Sequence, residues 1–315
     1  MFNIVFMGTP DFAVPSLKAL VESGENISAV FTQPDKPKGR GYKLIPTPIK
    51  AYAETQNLNV VQPTSLKNND EIYNLLKEIN PSLIVVVAYG QILPKRILEI
   101  PQYGCVNIHA SLLPKYRGAA PIQWSILNGE KTTGITSMLM AEGLDTGDML
   151  LKEELEIGEN ETSSELHDRL SILGSEVLIK TVEKLKNDEI IPQKQDDSKS
   201  TYASMITKEM SSIDFNDTAE KIHNTIRGIT GYTYLNGKRF KMLRSNLLKV
   251  EDKNNNAGTI IDNKNFVVVC GDKKCIQLLE VQAEGGKKLT ATDFLRGNKI
   301  DIGMKFEKTN GEIKW

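Results

Sequence analysis

The chain has 315 residues, of which 40% are apolar and 25% charged, and its net charge at pH 7 is −1. This length allows two domains with separate cores. No apolar run is long enough to cross a bilayer, and Met1 to Phe6 lead directly into a predicted strand without a basic leader. We therefore expect a cytoplasmic protein that does not associate with membranes. We also expect it to be a monomer.

The three cysteines, Cys105, Cys270 and Cys275, argue against a metal or redox site. Their spacings match no zinc-binding or CxxC pattern, and two of them fall in predicted strands rich in valine. We predict buried structural thiols and no metal ion.

The first half of the chain alternates short apolar runs with helical patterns. Strands are predicted at 4–7, 27–32, 60–61, 83–87 and 105–108, with helices that include 11–22 and 70–79. This alternation is typical of an α/β fold, here a Rossmann-like parallel sheet with helices on both faces. Ligands of such sheets bind at the carboxyl ends of the strands.

Two loops of this half attract attention. Gly8 to Asp11 follows the first strand and opens a helix, but it has one glycine where a dinucleotide fingerprint has three. It is either a tight turn or the border of an acceptor site. The loop 33–48 is long and rich in Lys and Arg, which favours a functional role over a solvated loop.

The segment from Asn107 to Pro114 offers the groups needed for acyl transfer. Asn107 and His109 lie two residues apart on a predicted strand and therefore project from the same face. The Asn107 amide can donate to a developing oxyanion, and the His109 imidazole can carry a proton near neutral pH. Asp145, in a glycine-flanked turn, would orient and charge that imidazole. Ser111 is a competing nucleophile for a Ser-His-Asp hydrolase, although the nucleophile elbow is missing.

The last 150 residues change in character. Thr162 to Glu165 form a capping box before a long amphipathic helix that carries His167, which we interpret as a surface residue. We predict a linker at 189–204 and then a second domain at 205–315, with strands at 233–235, 239–243, 259–261, 266–270 and 276–281. Such strands close naturally into a small OB-like β-barrel. His223 on its one predicted helix is expected to serve packing or to lie at the surface rather than to take part in catalysis.

Charge is unevenly distributed between the two halves. Residues 1–204 hold 20 Lys and Arg against 26 Asp and Glu, whereas residues 205–315 hold 19 against 14. The stretch 221–249 has seven basic residues and no acidic one. It is either a face for an acidic polymer such as RNA or a solvated surface.

The motifs resemble those of the folate-dependent formyltransferases. The resemblance is carried by residues 85–94, 107–122 and 143–148, and residues 8–13 and 32–41 narrow it to members that act on initiator methionyl-tRNA. It spans nearly the whole chain and thins in the last third. One departure is Gly228 to Thr233, which stands where the family usually has Asn-Pro-Trp-Pro.

The resemblance implies direct transfer of a formyl group from N10-formyltetrahydrofolate to the amino group of methionyl initiator tRNA. Residues 1–188 would form the catalytic domain, with Asn107, His109 and Asp145 as its catalytic residues, and 205–315 a tRNA-binding domain. The implied folate contacts are Tyr89, Gly90, Gln91, Ile92, Ser111, Leu112, Leu113, Pro114, Glu142 and Gly143. The implied tRNA contacts are Lys36, Lys38, Arg40 and Lys43 in the loop and Lys238, Arg239 and Lys241 in the barrel.

Three other functions use the same features. The acceptor could be a small amine, such as glycinamide ribonucleotide or an amino sugar nucleotide, but neither needs two basic surfaces. Water as acceptor would make the protein a formyl-folate hydrolase. A non-catalytic RNA-binding protein would have no use for the three catalytic side chains.

Overall fold

The structure is a computed structural model that describes residues 1–38 and 43–307. It divides into two compact units. The first comprises Met1–Pro121, Thr132–Glu156 and His167–Ala203, and the second comprises Ile122–Lys131, Ile157–Leu166 and Ser204–Trp315. No helix among the described residues has the length and apolar character that crossing a membrane requires.

The strands and helices of the described residues are numbered here in chain order. The strands are β1 (Asn3–Gly8), β2 (Asn26–Phe31), β3 (Lys36–Lys38), β4 (Lys43–Ile45), β5 (Val60–Val61), β6 (Leu83–Val87), β7 (Cys105–His109), β8 (Arg117–Gly118), β9 (Thr132–Leu139), β10 (Met149–Glu156), β11 (Tyr202–Ala203), β12 (Gly231–Leu235), β13 (Lys238–Glu251), β14 (Ile260–Asp262), β15 (Val267–Val269), β16 (Lys274–Ala283) and β17 (Leu289–Thr290). The helices are α1 (Val14–Glu22), α2 (Pro48–Thr55), α3 (Asp70–Ile79), α4 (Lys95–Leu98), α5 (Pro121–Leu127), α6 (Ser163–Lys186), α7 (Ala219–Ile229) and α8 (Ala291–Gly297).

A seven-stranded sheet forms the centre of the first unit, in the order β10-β9-β7-β6-β1-β2-β5. The five strands from β7 to β5 run parallel, and β9 and β10 extend the sheet with antiparallel pairing. All five residues of β6 are buried, as expected of a parallel strand covered on both faces. The predicted α/β fold is confirmed, and α3 has the predicted bounds.

Two strands of this sheet, β9 and β10, were not predicted. Thr133, Thr136 and Ser137 of β9 are buried, so the strand lacks an apolar pattern. Two of these hydroxyls have partners: Thr136 donates to the carbonyl of Ser111 at 2.7 Å, and Ser137 accepts from Thr181 at 2.8 Å. Satisfied hydroxyl groups therefore replace apolar side chains on this strand.

The second unit is built on a curled antiparallel sheet in the order β12-β13-β16-β15-β14, with β17 beside β16. Stacked and edge-to-face rings fill its core, with Phe266 against Phe240, Phe294 and Phe306. This half-barrel agrees with the predicted C-terminal β domain.

The predicted linker, 189–204, makes ordered contacts within the first unit up to Ala203. Gln193 forms a β-bridge with Met149, and β11 pairs in parallel with β8. The amide of Tyr116 donates to Thr201 Oγ1 at 2.8 Å. This segment therefore fixes the loop that follows β7.

Candidate active site

Asn107 and His109 lie at the carboxyl end of β7, as predicted for ligand-binding residues of such a sheet. Asn107 pairs with Val86 on one side and Met138 on the other, and His109 pairs with Thr136. Asn107 is partly exposed, and no hydrogen bond to its side-chain amide is found within residues 1–38 and 43–307. Its N–H groups are thus available to a ligand.

The two nitrogens of His109 have different surroundings. Nε2 lies 2.9 Å from the carbonyl oxygen of Tyr116, and because a carbonyl only accepts, Nε2 carries a proton and donates it. Nδ1 lies 3.7 Å from Oδ2 of Asp145. That distance suits an ion pair but is too long for a hydrogen bond. Nδ1 is therefore the nitrogen that can gain and lose a proton.

Asp145 sits in the turn between β9 and β10 and has a left-handed backbone with φ of 52°. Its Oδ2 accepts a hydrogen bond of 2.8 Å from the backbone N–H of Gly118. A Cβ atom on Gly118 would lie 2.7 Å from the carbonyl oxygen of Ala203, so the close approach requires glycine there. The structure therefore brings together the His109 imidazole, on β7, and the Asp145 carboxylate, in the turn between β9 and β10.

Ser111 is not paired with His109. Its hydroxyl is fully buried and donates to the carbonyl of Lys115 at 2.7 Å. Leu113, further along this loop, is also held at both backbone groups. Its carbonyl accepts a hydrogen bond from Lys152 Nζ, and its N–H donates to the Thr136 hydroxyl. Burial lowers the pKa of Lys152. These hydrogen bonds thus hold the loop that follows His109 in one conformation.

The loop from Tyr89 to Ile92 is another predicted folate contact. The Tyr89 ring is in the core, where burial raises the pKa of its hydroxyl, and its carbonyl accepts from Thr9 Oγ1 at 2.8 Å. Gln91 is bound to the backbone of Pro63 and Leu66, whereas Ile92 is 83% exposed. The loop therefore offers a ligand Ile92 and backbone groups.

The remaining predicted folate residues lie near the Asp145 turn. Glu142 is exposed and pairs with Lys95 at 3.3 Å. A Cβ atom on Gly143 would lie 2.3 Å from Thr146 Oγ1, so a side chain does not fit there. Their role in binding folate stays a prediction.

Gly8 is explained by packing. A Cβ atom there would lie 2.9 Å from the Cβ atom of Ala13 in the next helical turn and 3.1 Å from the carbonyl oxygen of Val87. The glycine thus serves the close approach of β1 to the following helical turn, which is the tight-turn interpretation.

Of the predicted tRNA contacts in the first unit, Lys36 is exposed on β3. Arg40 lies outside the described residues, as do the side chains of Lys38 and Lys43. Before the hairpin, Asp35 pairs with Lys50 at 2.6 Å. The hydrogen bond from Lys50 lowers the pKa of the Asp35 carboxyl.

In the second unit, Lys238, Arg239 and Lys241 share one end of β13. Arg239 and Lys241 pair across the strands with Tyr234 and Tyr232, and the Arg239 guanidinium lies 3.9 Å from the centre of the Tyr232 ring. We call these four residues, Tyr232, Tyr234, Arg239 and Lys241, the tyrosine-basic face.

Not every residue of the basic stretch 221–249 belongs to an exposed surface. Arg227 is buried and donates to the carbonyls of Gly158 and Glu161 at 3.2 Å each. His223, also buried, contacts the carbonyl of Glu159. Arg227 therefore holds a loop, and counting it as part of a basic face was wrong, whereas the packing role predicted for His223 is confirmed.

His167, which was predicted to be a surface residue, has a partly exposed side chain. It lies edge-on to Phe12 and within 3.0 Å of Asp168. The cysteines are buried and unpaired, as predicted. Within the described residues, no cluster of His, Cys, Asp or Glu is suited to hold a metal ion.

The sequence did not predict the roles of Arg117 and Gln195, which form a chain of hydrogen bonds to the backbone of Asp145. Arg117 Nε donates to Gln195 Oε1 at 2.9 Å, and Gln195 Nε2 donates to the carbonyl of Asp145 at 2.7 Å. No local motif signals this contact, because 50 residues separate Gln195 from Asp145.

Comparison with known proteins agrees with this arrangement. Residues 2–182 match the formyl transferase family and residues 205–299 match the formyl transferase C-terminal domain. A methionyl-tRNA formyltransferase of Clostridium novyi (strain NT) is 52% identical over 306 residues, which cover 95% of this chain and 98% of that protein. One from Geobacter metallireducens (strain ATCC 53774 / DSM 7210 / GS-15) is 47% identical over 309 residues, covering 96% and 98%.

A solved structure shows the same fold. The N-formyltransferase of Helicobacter canadensis, in complex with folinic acid and dTDP-3-aminofucose, superposes with a TM-score of 0.67 at 23% identity, covering 88% of this chain and 99% of that one. Because it matches both formyl transferase domains and is about half identical to these relatives over nearly its full length, the chain belongs to the formyl transferase family and, within it, to the methionyl-tRNA formyltransferases.

Proposed function

We propose that this protein transfers the formyl group of N10-formyltetrahydrofolate to the amino group of methionyl initiator tRNA. The observation that carries the proposal is the approach of His109 Nδ1 to Asp145 Oδ2, 3.7 Å apart, at the strand end where Asn107 has an amide available. The acceptor is supported by the names of relatives about half identical in sequence. The donor is supported by the folinic acid bound to the Helicobacter canadensis protein.

In this mechanism Asn107 donates a hydrogen bond to the formyl oxygen as the amine attacks the formyl carbon. A bond forms between that carbon and the amine nitrogen, and the oxygen gains negative charge. The amine then gives up a proton to His109 Nδ1. The protonated ring returns it to N10 of the folate as the bond from carbon to N10 breaks. Asp145 stabilises the imidazolium during the transfer.

Among the residues that the structure describes, no side chain near His109 favours a covalent formyl-enzyme. The Ser111 hydroxyl is committed to the Lys115 carbonyl. The Cys105 thiol is buried on the same strand, and burial raises its pKa to about 12. Because the thiolate is the nucleophilic form, this cysteine is inert near neutral pH. Direct transfer follows.

Two surfaces are proposed to contact the tRNA. The hairpin β3–β4 would meet its acceptor end through Lys36, Lys38, Arg40 and Lys43. In the second unit, the tyrosine-basic face combines positive charge with aromatic rings, which suits a phosphate backbone and unstacked bases. Lys238 lies beside it. We also propose a monomer that acts in the cytoplasm, where it would meet charged initiator tRNA.

The test is transfer of labelled formyl from N10-formyltetrahydrofolate to four acceptors in parallel: methionine-charged initiator tRNA, free methionine, glycinamide ribonucleotide and an amino sugar nucleotide. We expect transfer to the charged tRNA that is lost in His109→Ala. Transfer to a small acceptor alone would refute the proposed acceptor. Folate release at the same rate with and without tRNA would identify a hydrolase.

The tRNA surfaces are tested by charge and salt. Arg239→Ala with Lys241→Ala should weaken tRNA binding and reduce the slope of log affinity against log salt by about 1 to 2. Lys264→Ala, at an exposed turn between β14 and β15, is the matched control. Arg40→Ala should reduce transfer to tRNA far more than background folate hydrolysis. An equal loss of both would reject Arg40 as a tRNA contact.

A further inference from the structure

We propose that Gln195 is a positioning residue for formyl transfer, which acts by holding Asp145 opposite His109. This inference rests on the proposed function, because it concerns the proton that His109 carries. Gln195 lies outside the strands and loops that supply the candidate catalytic side chains, in the segment leading to β11.

The side chain of Gln195 forms two hydrogen bonds to the backbone of the Asp145 turn. Its Nε2 donates to the carbonyl oxygens of Asp145 and Gly147, at 2.7 Å each. Its Oε1 accepts from Arg117 Nε at 2.9 Å. This orientation is the one that satisfies all three contacts, because a flipped amide would set Oε1 against two carbonyls and Nε2 against a guanidinium N–H.

Apart from the hydrogen bond of Gly118 to the Asp145 carboxylate, few hydrogen bonds hold this turn. Among the described residues, 141–147 include a short turn at Leu144 and Asp145 but no backbone hydrogen bond of good geometry with one another, and the bond from Leu139 N to the carbonyl of Asp148 closes the base of the turn. Asp145 itself has a left-handed backbone with φ of 52°. The two hydrogen bonds from Gln195 therefore supply order that the turn's own backbone does not.

The side chain of Arg117 in turn holds the side chain of Gln195 in place. The Arg117 side chain is 11% exposed, and its guanidinium also pairs with Asp197 at 2.7 Å. The residue after Arg117, Gly118, gives its N–H to the Asp145 carboxylate. The short strand β8 thus acts on Asp145 in two ways. Gly118 orients the carboxylate directly, and Arg117 orients the Asp145 backbone through Gln195.

The consequence concerns rate rather than substrate binding. Nδ1 of His109 and Oδ2 of Asp145 are 3.7 Å apart, so a shift of the turn by about 1 Å would weaken their interaction. Displacements of that size typically cost about a hundredfold in rate. Loss of the Gln195 contacts should therefore lower kcat and leave the KM for charged tRNA nearly unchanged.

The test uses Gln195→Met, which keeps the length of the side chain and removes both donors. We expect kcat for formylation of methionyl initiator tRNA to fall about tenfold to a hundredfold, with KM within about twofold of wild type. Gln193→Met is the matched control and should match wild type. It lies two residues earlier on the same segment, its side chain is exposed, and it makes no side-chain hydrogen bond within the described part of the chain.

A double-mutant cycle separates positioning from a general loss of structure. If Gln195 acts through Asp145, Gln195→Met should cost less than about threefold in an Asp145→Asn background. The same fold loss in both backgrounds, a wild-type kcat, or a loss confined to KM would each overturn the inference. Should Gln195→Met not fold, Gln195→Asn is one methylene too short to reach both carbonyls and gives the same readouts. A wild-type protein that formylates no charged tRNA would instead reject the proposed function.

Discussion

Replacing Asp145 by asparagine tests the role of its charge with little change in shape. Asparagine keeps an oxygen that can accept from the N–H of Gly118, at the place where Oδ2 now accepts at 2.8 Å. It removes the negative charge that lies 3.7 Å from His109 Nδ1. The substitution therefore isolates the electrostatic contribution to the protonated ring.

The size of that contribution follows from the distance and burial. At 3.7 Å, two unit charges attract by about 4.5 kcal/mol at an effective dielectric constant of about 20 and by about 1 kcal/mol in water. The side chains of His109 and Asp145 are only 7% and 14% exposed, so the first value is the closer one. Since about 1.4 kcal/mol corresponds to tenfold in rate, kcat should fall by about 10² to 10³.

The assay is single-turnover formylation of methionyl initiator tRNA with enzyme in excess over tRNA, quenched in acid. Asp148→Asn is the control, because it removes a carboxylate three residues further along whose side chain makes no hydrogen bond in the described structure. Unfolding midpoints of both variants should match wild type within a few degrees. A loss below tenfold for Asp145→Asn would refute a charge-stabilised imidazolium.

Three further outcomes are expected. Ser111→Ala should keep activity within about tenfold, since the hydroxyl serves only the carbonyl of Lys115; complete loss would restore the serine nucleophile. Burial lowers the pKa of His223 below its usual 6.5, so the unfolded state binds its proton more readily and stability should fall as pH drops from about 7 to 5. Urea melts across this range should show a flatter slope for His223→Gln, and an unchanged slope would contradict the assignment. Phe266→Ala should lower the free energy of unfolding by about 3–5 kcal/mol in denaturant titrations, because the ring is fully buried; a loss under 1 kcal/mol would refute its place in the core.

The proximity of Asn107, His109 and Asp145 was predictable because it follows from local geometry and a family motif. Alternation along a strand places Asn107 and His109 on one face, whatever surrounds them. A parallel sheet sets its ligand sites at strand ends. The helix α3 was also predictable at both ends, since Asn69 caps its start and Asn80, with a left-handed backbone, ends it.

The charge pattern was less informative, because sequence does not show which charges are buried. Arg227 lies on a helix that would otherwise add to a basic surface. Instead it reaches the carbonyls of Gly158 and Glu161 and is buried with them. Arg244 likewise pairs with Glu165. Hydrogen bonds from the Thr162 backbone and, second, from Arg244 lower the pKa of that glutamate to about 2. The proposed tRNA face is accordingly smaller than the basic stretch of sequence.

The hydrogen bond from His109 Nε2 to Tyr116 constrains the proposed chemistry further. Because Nε2 is committed to a carbonyl, one nitrogen, Nδ1, must both accept the proton of the amine and return it to the folate. The amine and N10 must therefore approach the same edge of the ring, on the side that faces Asp145. The carboxylate then stabilises the charged ring at the moment between the two transfers, which is when the formyl carbon is bonded to both nitrogens. A small movement of the Asp145 turn would weaken this stabilisation without changing any group that binds substrate, and this is why the contacts of Gln195 should appear in kcat.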